Sequence, residues 1–286
     1  MDNPWLGRRV ISYAHQGGAW EAPSSTLFAI RRALDLGATG IELDVHATAD
    51  RQLVVCHDAS VDRTTDGAGA IASLTLDQLR RLDNAYWFAP GADVTPGLAD
   101  DQYPYRGHAP ADGEFCVATL QEVLALVDAH PGVALNLDIK QTAPTVVPYE
   151  AELAAALREF ELAGRVIVAS FLDAATDAFA ALSPGVATSA GTIATAEFVQ
   201  AVRAGRRTPD TAHVALQIPM AAGGTRLVDS ELVAAAHGAG MAVHVWTIND
   251  PAAMDELIEL GVDGIISDRP AVLVPKVDGR GLRARI

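Results

Sequence analysis

The chain has 286 residues, half of them apolar and a fifth charged, so it can bury a sizeable core and is not a disordered segment. Its formal net charge of −15 argues against nucleic acid as a partner, and against simple electrostatic adhesion to anionic membranes. An acidic protein acting on an anion needs a local cation, either bound metal or a few placed Lys and Arg.

Strand-like and helix-like pieces alternate along the chain. The first residues, 1–10, carry no signal-peptide core, and no run of about 18 apolar residues occurs, so a cytoplasmic protein without a membrane span is expected. An apolar run at 10–14 is followed by helical periodicity over 26–36, which stops at Gly37. Strand patterns follow at 40–45 and 53–56. After the stretch 59–117, a helix is predicted at 120–129 and a strand at 133–139. The remaining units are a helix at 149–161, a strand at 165–169, a helix at 173–182, a weak strand at 185–188 and a helix at 195–204. They continue with a strand at 213–217, a helix at 229–237, a strand at 241–246, a helix at 250–260 and a strand at 264–266.

About eight such units, with short apolar β-branched strands, predict an α/β fold: a (β/α)8 TIM barrel forming one domain over 1–286. The stretch 59–117 is rich in Gly, Asp, Pro and Tyr and too long for a structureless loop. It reads as a small inserted subdomain after strand two, with a short helix at 76–82. Its aromatics Tyr86, Trp87, Phe88, Tyr103 and Tyr105 either wall a substrate entrance or pack the insert onto the barrel. Two cysteines, Cys56 and Cys116, make no disulfide framework and fit a reducing compartment; Cys56, inside a strand, reads as a small buried apolar residue.

Three strand segments carry ionisable groups: Ile41-Glu42-Leu43-Asp44-Val45-His46, Val54-Val55-Cys56-His57-Asp58 and Leu135-Asn136-Leu137-Asp138-Ile139-Lys140. Isolated charges in buried strands are costly, so a shared site is the better explanation. Glu42 and Asp44 are two apart on a strand and point the same way. With Asp138 they form a three-carboxylate set, whose hard oxygens suit Mg²⁺ or Ca²⁺. His15 and His57 each end an apolar strand and could serve as general acid and base. Lys140 shares the two-residue offset of Asp138 and is either a structural ion pair or a clamp on a phosphoryl oxygen. Gly17-Gly18 permits close backbone approach to a ligand. Ser170, Gln217 and Trp246 add further strand-end groups, and His46 a supporting one.

Together these residues resemble the glycerophosphodiester phosphodiesterase family. The resemblance runs in order through Ala14-His15-Gln16-Gly17-Gly18, Gly40-Ile41-Glu42-Leu43-Asp44-Val45, Val55-Cys56-His57-Asp58 and Asp62-Arg63-Thr64-Thr65-Asp66-Gly67. It continues in Leu135–Lys140, Val243–Asp250 and Gly261–Pro270. It implies one divalent cation on Glu42, Asp44 and Asp138, His15 and His57 as the acid–base pair, and Lys140 on the phosphate. Gln16, Gln217 and Trp246 would contact a small phosphodiester substrate. There are three departures from the family pattern: Gln16 replaces an Arg, Pro23-Ser24-Ser25-Thr26 replaces Pro-Glu-Asn-Thr, and Asp138 replaces a Glu. Asp138 and Tyr105-Arg106-Gly107 look like the branch that cleaves head groups from lysophospholipids. That makes a lysolipid an alternative substrate, and a non-catalytic phosphodiester-binding barrel a further alternative. The retained acid–base pair favours the enzyme.

Overall fold

The computed structural model describes residues 3–7, 9–92, 94–140 and 147–284; residues 1, 2, 285 and 286, at the ends of the expected domain, lie outside the described residues. The strands in chain order are β1 (Ile11–His15), β2 (Gly40–Ala47), β3 (Leu53–Val55), β4 (Ala134–Ile139), β5 (Val166–Ala169) and β6 (Ala187–Ala190). They continue as β7 (Ala215–Pro219), β8 (Ala221–Ala222), β9 (Thr225–Arg226), β10 (Ala242–Trp246) and β11 (Gly264–Ser267). The helices are α1 (Leu27–Asp35), α2 (Leu76–Leu79), α3 (Leu120–Asp128), α4 (Glu150–Glu159), α5 (Asp173–Leu182), α6 (Thr192–Arg203), α7 (Ser230–Gly238), α8 (Pro251–Leu260) and α9 (Pro270–Gly279). Among the described residues, eight parallel strands close in the order β1-β2-β4-β5-β6-β7-β10-β11, with β1 pairing β11 as well as β2. This is the expected (β/α)8 barrel. Strand β3 lies outside the ring, antiparallel on β2.

The two-residue strand period divides each strand between two environments. Ile41, Leu43 and Val45 of β2, with Leu135, Leu137 and Ile139 of β4, face outward and pack against apolar residues of α1, α3 and α4. Leu216, Ile218, Val243 and Val245 do the same beneath α6, α7 and α8. Facing the axis at the N-terminal end are Ile11, Tyr13, Ala134, Ile167, Ala215 and Ala242, closed below by Trp5. Further along the same strands the axis-facing residues turn polar: His15, Asp44, Asp138 and Gln217. Both faces of a strand are therefore buried, but only one end of the axis is apolar. Gly40 makes this packing possible, since a Cβ there would lie 2.4 Å from the Tyr13 ring.

Local signals explain most helix boundaries. Thr26 caps α1, Thr119 forms a capping box with Glu122 on α3, and Asp250 caps α8 ahead of Pro251. Strands β6 and β7 sit about two residues later than their apolar patterns suggest. Pairing of Ser189 with Ala215 sets their register, and neighbours outweigh local pattern in strands this short. Two elements carry no expectation from the sequence. Helix α9 holds Pro275 inside it, which hides its period, yet Leu273, Val274 and Val277 bury against the barrel. The β8–β9 hairpin turns at Gly223-Gly224, both with positive φ, a hairpin signal visible in the chain as Ala-Ala-Gly-Gly-Thr-Arg.

Among the described residues between β3 and α3 the chain forms α2 and three single 3₁₀ turns, so the helix expected at 76–82 is shorter than its pattern. Val61, Ile71, Leu79 and Val117 build a cluster on Val54 and Cys56. The aromatics pack on one another: Tyr105 stacks on Phe88 and Phe115, and Phe28 of α1 joins them. The Arg106 guanidinium lies over the Tyr86, Trp87 and Tyr103 rings at 4.3, 4.8 and 3.7 Å. No helix among the described residues is long and apolar enough to cross a membrane.

His244 is fully buried on the barrel axis, against the rings of Tyr13 and Trp5, with neither ring nitrogen hydrogen-bonded. Burial lowers its pKa to about 4 against a weaker opposing pull from Asp263. The unfolded chain takes up a proton near pH 6.5 while the folded chain stays neutral, so acid favours unfolding through this residue. Between pH 7.5 and 5 it should cost about 2 kcal/mol of stability. Urea unfolding of His244→Leu at the two pH values should show a dependence flatter by about that amount.

Candidate active site

Strand register assembles the charged groups. Parallel pairing of β1 with β2 sets His15 beside Glu42, and pairing of β2 with β4 sets Asp44 beside Asp138. Adjacent strands lie ~4.8 Å apart, so these carboxylates are neighbours by construction. Lys140, just past β4, places Nζ 3.0 Å from Asp44 Oδ1 and 3.1 Å from Asp138 Oδ2. Burial alone would lower the Lys140 pKa, but Asp44 and then Asp138 outweigh it and hold the amine firmly charged. The antiparallel return of β3 brings His57 over the same end of the barrel.

The two imidazoles face each other edge-on, with ring centroids 6.1 Å apart. Each has its Nδ1 on a carboxylate. His15 Nδ1 is 2.6 Å from Asp268 Oδ1, and Asn249 Nδ2 donates to Asp268 Oδ2 at 2.6 Å. His57 Nδ1 is 2.7 Å from Asp58 Oδ1, and Arg63 Nε donates to Asp58 Oδ2 at 2.6 Å. The His57 contact, then Arg63, holds the Asp58 carboxyl well below the usual range despite partial burial. Each carboxylate fixes its ring's tautomer through Nδ1, and His15 Nε2 then lies 3.6 Å from Glu42 Oε2. These orienting groups are not among the site residues expected from the sequence. Adjacency of His57 and Asp58 was a usable signal, whereas Asp268 lies 253 residues from His15 and gave none.

The acids are short of compensating charge. Glu42 Oε2, Asp44 Oδ2 and Asp138 Oδ1 are buried without a hydrogen-bond partner. Burial, reinforced by Asp44, pushes the Glu42 pKa up to about 8. For His15, burial pulls down, but Glu42 and Asp268 outweigh it and raise the ring to about 9. Among the described residues, no three His, Cys, Asp or Glu side chains are already drawn to metal-ligand spacing. Three hard carboxylates, each with an unsatisfied buried oxygen, nevertheless fit a divalent cation closing among them. Glu42, Asp44 and Asp138 are the residues that could hold it.

Gln16 and Ser25 sit beside this cluster, and both have left-handed backbone, φ 53° and 57°. Ser25 N donates to Gln16 O at 2.8 Å, so the two departures form one structural unit. Gln16 Nε2 lies 3.1 Å from His15 Nε2, and its Oε1 is buried without a partner. In this orientation the amide donates to a neutral imidazole; turned by 180° it accepts from an imidazolium. A guanidinium could only donate. Gly17 and Gly18 do not open the backbone toward a ligand; Cβ atoms there would lie 2.8 Å from Ala29 and from Pro270, so they serve packing of α1 and α9. His46 is buried near Asp44, with its pKa lowered chiefly by desolvation. Cys56 is buried and its thiol pushed up to about 12, as an unreactive core residue.

His15, His57, Glu42, Asp44, Asp138 and Lys140 occupy one end of a cavity of about 520 Å³, whose lining does not include Gln16. Its other side is largely apolar: Ala196 and Val199 of α6, Leu227, Ile218, Phe171 and Trp246. Phe171 meets Trp246 edge-on at 5.5 Å and lies 5.4 Å from Lys140 Nζ. Gln217 lines the cavity, but both ends of its amide are engaged with Asn136, at 3.0 and 3.1 Å. The aromatics of 59–117 line no part of it, so the packing alternative describes them. Phe171 and the residues around the β8–β9 hairpin form the wall instead.

The sequence pattern described as the glycerophosphoryl diester phosphodiesterase family matches residues 15–272. A Caldanaerobacter subterraneus protein named glycerophosphodiester phosphodiesterase is 29% identical over 270 residues, covering 93% of this chain and 97% of its own. The Rattus norvegicus glycerophosphodiester phosphodiesterase 1 is 52% identical over 77 residues, 27% of this chain and 23% of its own. Among solved structures, a glycerophosphoryl diester phosphodiesterase domain from Mycobacterium tuberculosis superposes with TM-score 0.77 at 22% identity, over 95% of this chain and 99% of its own. An Oleispira antarctica phosphodiesterase, solved with the product sn-glycerol-3-phosphate, gives TM-score 0.69 at 24% identity, over 96% and 99%. With the pattern spanning the chain from His15 at the end of β1 to Val272 in α9, this protein belongs to the glycerophosphoryl diester phosphodiesterase family and is a phosphoric diester hydrolase.

Proposed function

We propose that the chain hydrolyses a glycerophosphodiester to glycerol 3-phosphate and an alcohol, using His15 and His57 as the proton-transfer pair. The observation that carries this reading is the pair of carboxylate-oriented imidazoles facing each other at 6.1 Å above Glu42, Asp44, Asp138 and Lys140. One Nε2 takes the proton of the attacking oxygen; the other gives a proton to the alcohol as its P–O bond breaks. Asp58 and Asp268 stabilise whichever ring is cationic. Lys140, kept charged and directed by two acids, offsets negative charge on the phosphoryl oxygens. Gln16 bears on the His15 ring, and Trp246 supplies a wall. Glu42, Asp44 and Asp138 would hold one Mg²⁺ or Ca²⁺, which when bound supplies Lewis-acid polarisation of the phosphate. The product carried by the Oleispira antarctica phosphodiesterase supports glycerol 3-phosphate as the retained half.

We read residues 59–117 as an inserted subdomain at the catalytic face. Arg63 fixes Asp58, and Asn84 bridges Thr64 Oγ1 at 2.6 Å to Ser24 O at 3.2 Å, so the insert braces both His57 and the Ser24-Ser25 loop. The unpaired, buried Cys56 and Cys116 support a cytoplasmic location.

A second reading rests on the apolar side of the cavity: a lysophospholipid, whose chain would lie along Val199, Leu227 and Phe171.

Recombinant protein should release glycerol 3-phosphate from glycerophosphocholine, lose turnover in EDTA and regain it with Mg²⁺ or Ca²⁺. His15→Ala and His57→Ala should each lower kcat by about 10²–10⁴; full metal-dependent activity in both would overturn the scheme. Asp268→Asn should keep the fold and KM while lowering kcat at least tenfold, because an amide neither fixes the same tautomer nor stabilises the imidazolium. Turnover of glycerophosphocholine with none of lysophosphatidylcholine would exclude the lysolipid reading.

A further inference from the structure

Most large apolar side chains are buried, and the exceptions are unevenly placed. Of the five that are exposed among the described residues, Phe171, Leu172 and Ile193 come together at the C-terminal ends of β5 and β6, at 53%, 43% and 66% exposure. Their segments are fastened to each other. Thr192 N donates to Phe171 O at 3.1 Å, and Asp173 accepts from Ile193 N and Ala194 N at 2.8 and 2.9 Å. Gly191 keeps the turn tight, since a Cβ there would lie 2.7 Å from the Asp173 carboxyl carbon. The Asp173 carboxylate accepts from the start of α6, and Lys140, whose Nζ lies 5.4 Å from the Phe171 ring, is already paired with Asp44 and Asp138.

The patch continues into the active-site cavity. Phe171 is half-exposed and also lines it, and α6 turns Thr192, Thr195, Ala196 and Val199 toward it, with Ile193 just outside on the first turn. An uncharged apolar rim that leads inward along an apolar wall suits a hydrocarbon–water boundary. We propose that Phe171, Leu172 and Ile193 form an interfacial docking surface that seats the cavity mouth on an uncharged or zwitterionic lipid surface. With a net charge of −15, and with Lys140 beside Phe171 already paired by two acids, anionic lipid is the poorer partner.

Helix α5 supplies an internal control. Leu172 precedes its first turn and Leu182 ends it at 48% exposure, on the opposite end of the barrel about 15 Å away. Sedimentation with phosphatidylcholine vesicles should show wild-type binding little changed between 0.1 and 0.5 M salt. Leu172→Glu and Ile193→Glu should each weaken it about tenfold or more, and Leu182→Glu should leave it unchanged. Turnover of soluble glycerophosphocholine should be unaffected in all three. Vesicle binding is read without turnover, so this proposal and the catalytic reading fail separately. Absence of wild-type binding would overturn the surface, as would equal loss in Leu182→Glu. So would self-association, seen by ultracentrifugation and abolished by Ile193→Glu, in place of vesicle binding.

Discussion

Two carboxylates on adjacent strands, in register and out of water, are the constraint on which the site depends. Asp44 and Asp138 sit side by side because β2 and β4 pair residue for residue, and Glu42 follows on the same face. Two such charges about 5 Å apart repel by roughly 3 kcal/mol even at an effective dielectric of 20. Lys140, bridging both at 3.0 and 3.1 Å, turns part of that repulsion into attraction. It leaves one oxygen on each acid unsatisfied and the Glu42 carboxyl pushed upward. A site built this way is short of positive charge, and that shortage is what suits its acids to a divalent cation. The imidazoles complete the arrangement, each steadied by an acid outside the cluster.

The barrel tolerates this strain because its axis is divided. Below, Tyr13, His244 and Trp5 interlock where Gly40 and Gly264 leave room, since a Cβ at either would lie within 3 Å of a neighbouring ring. That end is dense and apolar. Above, the same strands carry acids, imidazoles and amides, so the rigid half positions the reactive half without taking part in it. The helices outside bury the opposite strand faces and contribute no group to the chemistry, except where α6 turns one face inward to wall the cavity.

Two of the departures from the family pattern lie together. Gln16 and Ser25 share a backbone hydrogen bond and a left-handed conformation that costs a residue with a Cβ something to hold. Gln16 can answer either protonation state of His15, which a guanidinium cannot. The cavity beside the acids is lined on its far side by apolar residues of α6, Leu227 and Phe171.

Much of this was legible in the chain. The two-residue spacings in Glu42-Leu43-Asp44 and Asp138-Ile139-Lys140 dictate a shared direction, capping residues mark α1, α3 and α8, and the strand–helix alternation dictates the barrel. Periodicity and short-range sterics are local properties, so local sequence carries them. It did not reveal that Asp268 would reach His15, that Gln217 would pair with Asn136, or that Phe171 rather than the aromatics of 59–117 would wall the cavity. Nor did it reveal α9, whose internal proline hides a helix that only burial against the barrel sustains. Those outcomes depend on which side chains become neighbours when the barrel closes, and closure sets register between segments hundreds of residues apart.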